Sequence, residues 1–291
     1  MLFWVMAAGG AVIWLAVTAL ALHAARSRRQ RWSVAAGYRL IVVGGVLLPT
    51  LVLAALLAYG LPLLDRLLGT PAEAEVNVAV SGERWWWRVR YLDEAGPAVE
   101  LANEIRLPVG ARVNVTLSSD NVIHAFWIPS LAGKVDMIPG RTTRLLLEPA
   151  RTGTFRGVCA EYCGTSHALM GFTVEVMEPA AFAAWLSAQA KKAKPARKPL
   201  ARRGQALFTT HGCAACHTIR GTGAHGRMGP DLTHVGGRPT LAAATLPNER
   251  DTMAEWIRAP HRSKPGVQMP AFGMLPDDDL RALAAYLSGL Q

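Results

Sequence analysis

The sequence predicts a multidomain membrane protein: a two-helix transmembrane hairpin, then an all-β domain, then an all-α domain. Two apolar runs of membrane-spanning length stand near the N-terminus. Strand-like alternation follows from about residue 72 to 178, and a helical pattern begins near residue 201. The expected boundaries are 1–68 for the hairpin, 72–180 for the β domain, 181–200 for a basic linker and 201–291 for the helical domain. A chain of 291 residues has room for about two domains of ~150 residues.

Leu2 to Ala25 and Leu40 to Leu61 are the two apolar runs. Each reaches the ~20 residues that a helix needs to cross ~30 Å of hydrocarbon. "RSRRQRWSVAAGYR" between them is rich in arginine, so the positive-inside rule puts this loop in the cytoplasm and everything after residue 68 outside. A cleaved signal peptide is the competing reading of the first run. That run lacks a charged n-region, and cleavage would leave the compartment of the rest unchanged.

After Pro71 the period becomes two. Val76, Val78 and Val80 share one face, as do Ile105, Leu107 and Val109, then Val113, Val115 and Leu117, then Phe172, Val174 and Val176. Gly/Pro-bearing turns separate these runs, which reads as an antiparallel sandwich or barrel. "AQAKKAKPARKPLARR" (188–203) reads as an exposed, extended linker, helical at its start. In the last segment the apolar stripe is Leu280, Leu283, Ala284 and Leu287, behind an acidic start.

The formal net charge is +10. Much of it lies in the hairpin loop and the linker, not on a folded face with stacking aromatics, which argues against nucleic acid as a partner.

The chemistry sits in "GVCAEYCGTSHALM" (157–170). Thiolate, imidazole and thioether together suit copper, but a mononuclear blue site would leave one cysteine over. Two thiolates can bridge two ions, each then needing one imidazole. His167 is local, and His124 is the candidate from elsewhere in the barrel. A Cys159–Cys163 disulfide and a zinc site are the competing readings.

"NVIHAFWIPSLAGKVDMIPGR" with "CAEYCGTSHALM" resembles subunit II of cytochrome c oxidase, the subunit with the dinuclear CuA centre. The hairpin and the β domain, a cupredoxin (Greek-key barrel) in that family, are similar as well. The resemblance implies that Cys159 and Cys163 bridge two copper ions. His124 and Met170 would complete one, and His167 with the backbone carbonyl of Glu161 the other. The Glu161 side chain matches a position that reaches a magnesium ion shared with subunit I. It further implies a bacterial inner (cell) membrane protein with two passes and its soluble domains on the periplasmic face.

"GCAACH" carries the C-x-x-C-H haem-attachment pattern, with Cys213 and Cys216 as thioethers and His217 as axial ligand. The sixth ligand should be a methionine, from Met228, Met253, Met269 and Met274. "KPGVQMPAF" resembles the methionine loop of class I cytochromes c, which favours Met269, with Met274 next. "GPDLTHVGGR" resembles the haem-side loop, in which the Pro230 carbonyl would hold the His217 ring. His211, His225, His234 and His261 read as surface residues. All four cysteines are then used on cofactors: two coppers and one covalent haem c.

The fused arrangement resembles oxidases whose subunit II carries its own cytochrome c. It implies the electron-input subunit of a respiratory haem-copper oxidase, an oxidoreductase and translocase. Electrons would pass from haem c to CuA and on to subunit I, where oxygen is reduced to water. The implied partners are subunit I, subunit III, membrane lipid, and a cytochrome c or quinol–cytochrome c reductase as donor. In "RWWWRVRY" (84–91), Trp85 matches the family's electron-accepting tryptophan, with Trp87 as the alternative. Two positions depart from the family pattern. Asn121 stands where an acid is common before the first ligand histidine, and Val42 stands where a channel glutamate is common. Val42 keeps open the electron-input subunit of a CuA-containing nitric oxide reductase.

Overall fold

In the computed structural model, which describes residues 2–26, 33–68, 74–92 and 99–291, the first apolar run is helix α1 (Leu2–Arg26). The second is α2 (Val34–Val42), one wide π turn (Val43–Leu47) and α3 (Leu48–Leu68). Ser33 caps α2, its Oγ accepting from the Ala36 amide at 3.2 Å. The π turn falls just before Pro49, which has no N–H and crowds the carbonyl four residues back. Phe3, Trp14, Leu51 and Leu57 are exposed. A helix apolar on all sides is suited to lipid, not to a one-sided core. Arg28, Arg29 and Arg31 of the expected cytoplasmic loop lie outside the described residues. The hairpin is one unit, and residues 68–291 form another.

In the second unit, two five-stranded sheets enclose one core. The first holds β1 (Val76–Glu83), β2 (Trp86–Leu92), β3 (Val99–Ala102), β5 (Val113–Ser119) and β8 (Thr143–Leu147). The second holds β4 (Glu104–Pro108), β6 (His124–Trp127), β7 (Val135–Met137), β9 (Gly153–Cys159) and β10 (Gly171–Met177). The alternating residues do point inward: Val78, Val80, Ile105, Leu107, Val113, Val115, Leu117, Phe172, Val174 and Val176 are all buried.

The pairing is not purely antiparallel, as the alternation suggested. β1 runs parallel to β5, and β4 parallel to β10. The cause is a change of sheet between β3 and β4. Asn103 turns the chain there at φ 61°, a left-handed conformation that asparagine tolerates better than most residues. Its Oδ1 accepts from the Trp87 amide at 2.8 Å, holding the corner to β2.

Helix α4 (Pro179–Gln189) closes one end of the sandwich. Phe182 is buried there, Trp185 packs edge-on to Tyr91 with ring centroids 5.5 Å apart, and Arg106 lies over Trp185 at 4.9 Å. The basic segment beyond it keeps its lysines exposed. Its backbone is tied to the helical domain: Arg220 donates to the carbonyls of Gln189 and Ala190, and the Ala193 amide donates to Arg220. His234, expected at the surface, is buried with Nε2 3.0 Å from the Lys191 carbonyl.

The helical domain comprises α5 (Pro199–Thr210), α6 (Arg250–Arg258), α7 (Pro260–Ser263) and α8 (Asp277–Ser288). α5 and α8 cross closely at Gly204, where a Cβ would come within 1.9 Å of the Ala282 carbonyl oxygen. Leu280, Leu283, Ala284 and Leu287 are buried against Phe208, Ile219 and Met253. The acidic start of α8 suits the positive end of the helix dipole, and Asp279 also pairs with Arg203 at 2.5 Å.

Candidate metal centre and adjoining cavity

His124 opens β6, Cys159 ends β9, and Glu161, Cys163, His167 and Met170 lie on the loop from β9 to β10. Pairing of β6 with β9 sets Phe126 opposite Cys159, which brings His124 beside the loop. The Cys159 amide donates to the Met170 carbonyl at 3.0 Å and closes the loop at its base. Gly164 takes φ 111°, which a side chain would disfavour.

These residues converge. Cys159 Sγ lies 3.7 Å from His124 Nδ1, 3.8 Å from Cys163 Sγ and 3.2 Å from the Glu161 carbonyl oxygen. Cys163 Sγ lies 3.6 Å from His167 Nδ1 and 3.9 Å from Met170 Sδ. The sulfurs stand well beyond the ~2.05 Å of a disulfide bond. The donor set is two thiols, two imidazoles presenting Nδ1, one thioether and one carbonyl. That is soft chemistry suited to copper.

Electrostatics point the same way. The hydrogen bond shared with Cys163 holds the Cys159 thiol far below the ordinary range, with help from His124. Cys163 is pushed up, first by that same hydrogen bond and then by burial and the neighbouring thiolate. The pair therefore resists losing its second proton, and a bound cation would favour both thiolates.

Asn121 is more than a departure from a pattern. Its Oδ1 lies 3.2 Å from His124 Nε2. An amide oxygen there keeps the proton on Nε2 and leaves Nδ1 to face the sulfurs. Sequence reading marked the missing acid, but the orienting contact needed the fold.

The second set lines an apolar cavity. Cys213 begins a short 3-10 turn, and Cys216 and His217 follow it. His217 Nδ1 lies 2.8 Å from the Pro230 carbonyl, the contact expected for that proline. Burial holds the His217 imidazole below its ordinary pKa, hence neutral, with Nε2 available as a ligand. A Cβ at Gly229 would come within 2.5 Å of the His217 ring. Met228, Met253 and Met269 line the cavity and Met274 does not; Met228 and Met274 are both exposed, while Met253 is buried. Arg238 also lines it, and its buried Nε has no hydrogen-bond partner among the described residues. A cofactor carboxylate would satisfy that donor, so the cavity fits haem.

Trp85 sits in the two-residue turn between β1 and β2. It is nearly covered, with 7% of its surface exposed. Its Nε1 donates to the Cys163 carbonyl at 2.8 Å. A Cβ at Gly266 on the methionine loop would come within 3.1 Å of its ring edge, and the indole lines the cavity. Trp86 is half-buried, with the Arg88 guanidinium over it at 4.7 Å. Trp87 is fully buried in the sandwich core, and Nε1 donates to the Met170 carbonyl at 3.3 Å.

Comparison with known proteins matches two families, "Cytochrome C oxidase subunit II, periplasmic domain" over residues 92–177 and "Cytochrome c" over residues 201–291. Cytochrome c oxidase subunit 2 of Alkalihalophilus pseudofirmus is 36% identical over 216 residues, covering 74% of this chain and 61% of that protein. The Bacillus subtilis protein of the same name is 32% identical over 233 residues, covering 77% and 64%. The chain thus spans just under two thirds of the length of these two relatives. The Cereibacter sphaeroides protein of that name is 32% identical over 215 residues, covering 60% of this chain and 71% of that protein. The apolar helices, the cupredoxin-like sandwich and the helical haem-binding pattern agree with these matches, and the chain belongs to the cytochrome c oxidase subunit II family, with a cytochrome c domain at its C-terminal end.

Proposed function

We propose that this chain is the electron-input subunit of a membrane-bound respiratory haem-copper oxidase, receiving electrons at haem c and passing them through a dinuclear copper centre to subunit I. The carrying observation is the pair of cysteine sulfurs 3.8 Å apart with four further donor groups around them, each within 3.9 Å of a sulfur. In this reading Cys159 and Cys163 would both contribute thiolates to the two coppers. His124 and Met170 would complete one, and His167 and the Glu161 carbonyl the other. Cys213, Cys216, His217 and Met269 hold the haem. Each group, when bound, takes up and releases one electron.

The residues around these sites perform the rest. Burial of His124, Cys159, Cys163 and Met170 excludes water and leaves no open position for a substrate. Trp85 joins the two sites through its indole, hydrogen-bonded to the copper loop and in contact with the methionine loop. The Glu161 side chain is assigned to a magnesium ion shared with subunit I. Residues 1–68 act as anchor, 72–180 as copper domain, 181–200 as connecting segment and 201–291 as haem domain. The anchor lies in the bacterial cell membrane with the arginine loop cytoplasmic. Subunits I and III and an upstream cytochrome c or quinol–cytochrome c reductase are the assigned partners.

The test is turnover by the complex purified from its own membranes with this chain intact. Oxygen consumption driven by a reduced cytochrome, abolished by Cys163→Ser, is the expected result. Nitric oxide turnover without oxygen consumption would overturn it.

A further inference from the structure

Lys264 is a helical-domain residue with 1% of its surface exposed, buried against the copper-ligand loop. Its Nζ donates to the Leu169 carbonyl at 2.8 Å and to the Ala242 carbonyl at 3.2 Å. Leu169 lies between the two proposed ligands His167 and Met170, and Lys264 lies five residues before Met269. One amine therefore joins the methionine loop, the copper loop and a third segment at Ala242.

That third segment is unusual. Ala242, Ala243 and Ala244 have φ of 51°, 60° and 59°. Successive non-glycine residues in the left-handed region are disfavoured, because Cβ crowds the backbone. The strained turn presents its carbonyls to the interface: Ala242 to Lys264, and Ala243 to the Gly171 amide at 3.1 Å. Ser166 Oγ donates to the Pro265 carbonyl at 2.6 Å beside it. Strain that is held by surrounding contacts is characteristic of functional sites. A buried amine is also a costly way to fill space that an apolar side chain would fill.

We propose that Lys264 is a positioning residue that locks the haem domain onto the copper loop, making the two redox sites a fixed pair and not a tethered one. This rests on the function proposed above. The lock holds Gly266 against Trp85 and so sets the gap that electrons cross. Burial draws Lys264 down to about 7. Ammonium and amine both offer at least two N–H donors, so the bridge stands in either state.

The test uses the full-length chain in its purified complex with both cofactors present. The haem is reduced by a flash, and absorbance is followed at both centres with and without added glycerol. In the wild type, transfer should be independent of viscosity. Lys264→Met should slow it by about tenfold or more and make it viscosity-dependent, with copper bands and haem potential unchanged. Lys264→Gln, which keeps an N–H donor, should recover part of the rate. A wild-type rate in Lys264→Met, or a slowed rate that stays viscosity-independent and follows a shifted potential, would overturn the proposal. Hydrogen exchange on the wild type gives a second measurement that needs no variant. A peptide covering 169–172 should exchange as slowly as the sandwich core, and loop-like exchange would overturn the lock. Absence of copper reduction in the wild type would instead remove the electron-transfer reading, while the exchange result still judged the dock.

Discussion

The Trp85 indole donates to the carbonyl of Cys163 at 2.8 Å, and its ring edge lies where a Cβ at Gly266 would come within 3.1 Å. One side chain thus lies against the loop that carries Cys159 and Cys163 and the loop that carries Met269. Trp85→Ala should slow haem-to-copper transfer by about tenfold or more, equivalent to ~1.4 kcal/mol of barrier. No ligand is removed, so the copper absorption should persist. Trp85→Phe, which keeps a ring but loses the hydrogen bond, should fall between. Flash reduction with absorbance at both centres measures this, and an unchanged rate in Trp85→Ala would exclude the residue as the bridge.

The donor set around Cys159 and Cys163 predicts the metal content. The purified full-length chain should carry two copper ions and one haem c, measured by elemental analysis and a pyridine haemochrome. His124→Ala should lower the copper content. Asn121→Ala should retain copper but alter its spectrum, because the His124 ring loses the acceptor at Nε2. One copper per chain, or zinc in its place, would refute the dinuclear reading.

Met269 and Met274 differ in a way that absorption spectroscopy can read. Met269 lines the cavity, and Met274 is exposed. Met269→Leu should remove the sulfur–iron charge-transfer band and lower the haem potential, because a thioether favours reduced iron. Met274→Leu should change neither. The reverse pattern would move the axial ligand to Met274.

Close backbone contact at α5 and α8 predicts a stability effect. Gly204→Ala drives a Cβ against the Ala282 carbonyl and should cost about 3 kcal/mol, near the upper range for overpacking. Gly223→Ala meets nothing within 4 Å and should be close to neutral. Thermal unfolding followed at the haem band compares them, and equal midpoints would show that the helices can separate at little cost.

The three consecutive tryptophans show how far the amino-acid order reaches. Strict period-two alternation through all three would set Trp85 and Trp87 on one face. The fold instead places Trp85 in a turn at the domain boundary and Trp87 in the core, where truncation to alanine should cost about 3–5 kcal/mol. Alternation specifies faces only while the chain stays in a strand, and β2 begins at Trp86.

What the sequence by itself determined was whatever depends on short-range order. The apolar runs, the inward faces of β5 and β10, the stripe on α8, and the spacings of Cys159, Cys163, His167 and Met170 are all local. Ligand chemistry depends on residue type and spacing, so the soft-donor cluster was legible before any fold. The parallel pairing of β1 with β5, the buried His234 and the Lys264 bridge were decided only by tertiary structure. Each joins residues distant in the chain, and His234 Nε2 and Lys264 Nζ each meet a carbonyl from another segment. A lysine beside a proline looks like any surface lysine, and only the two carbonyls that meet its Nζ give it a different role.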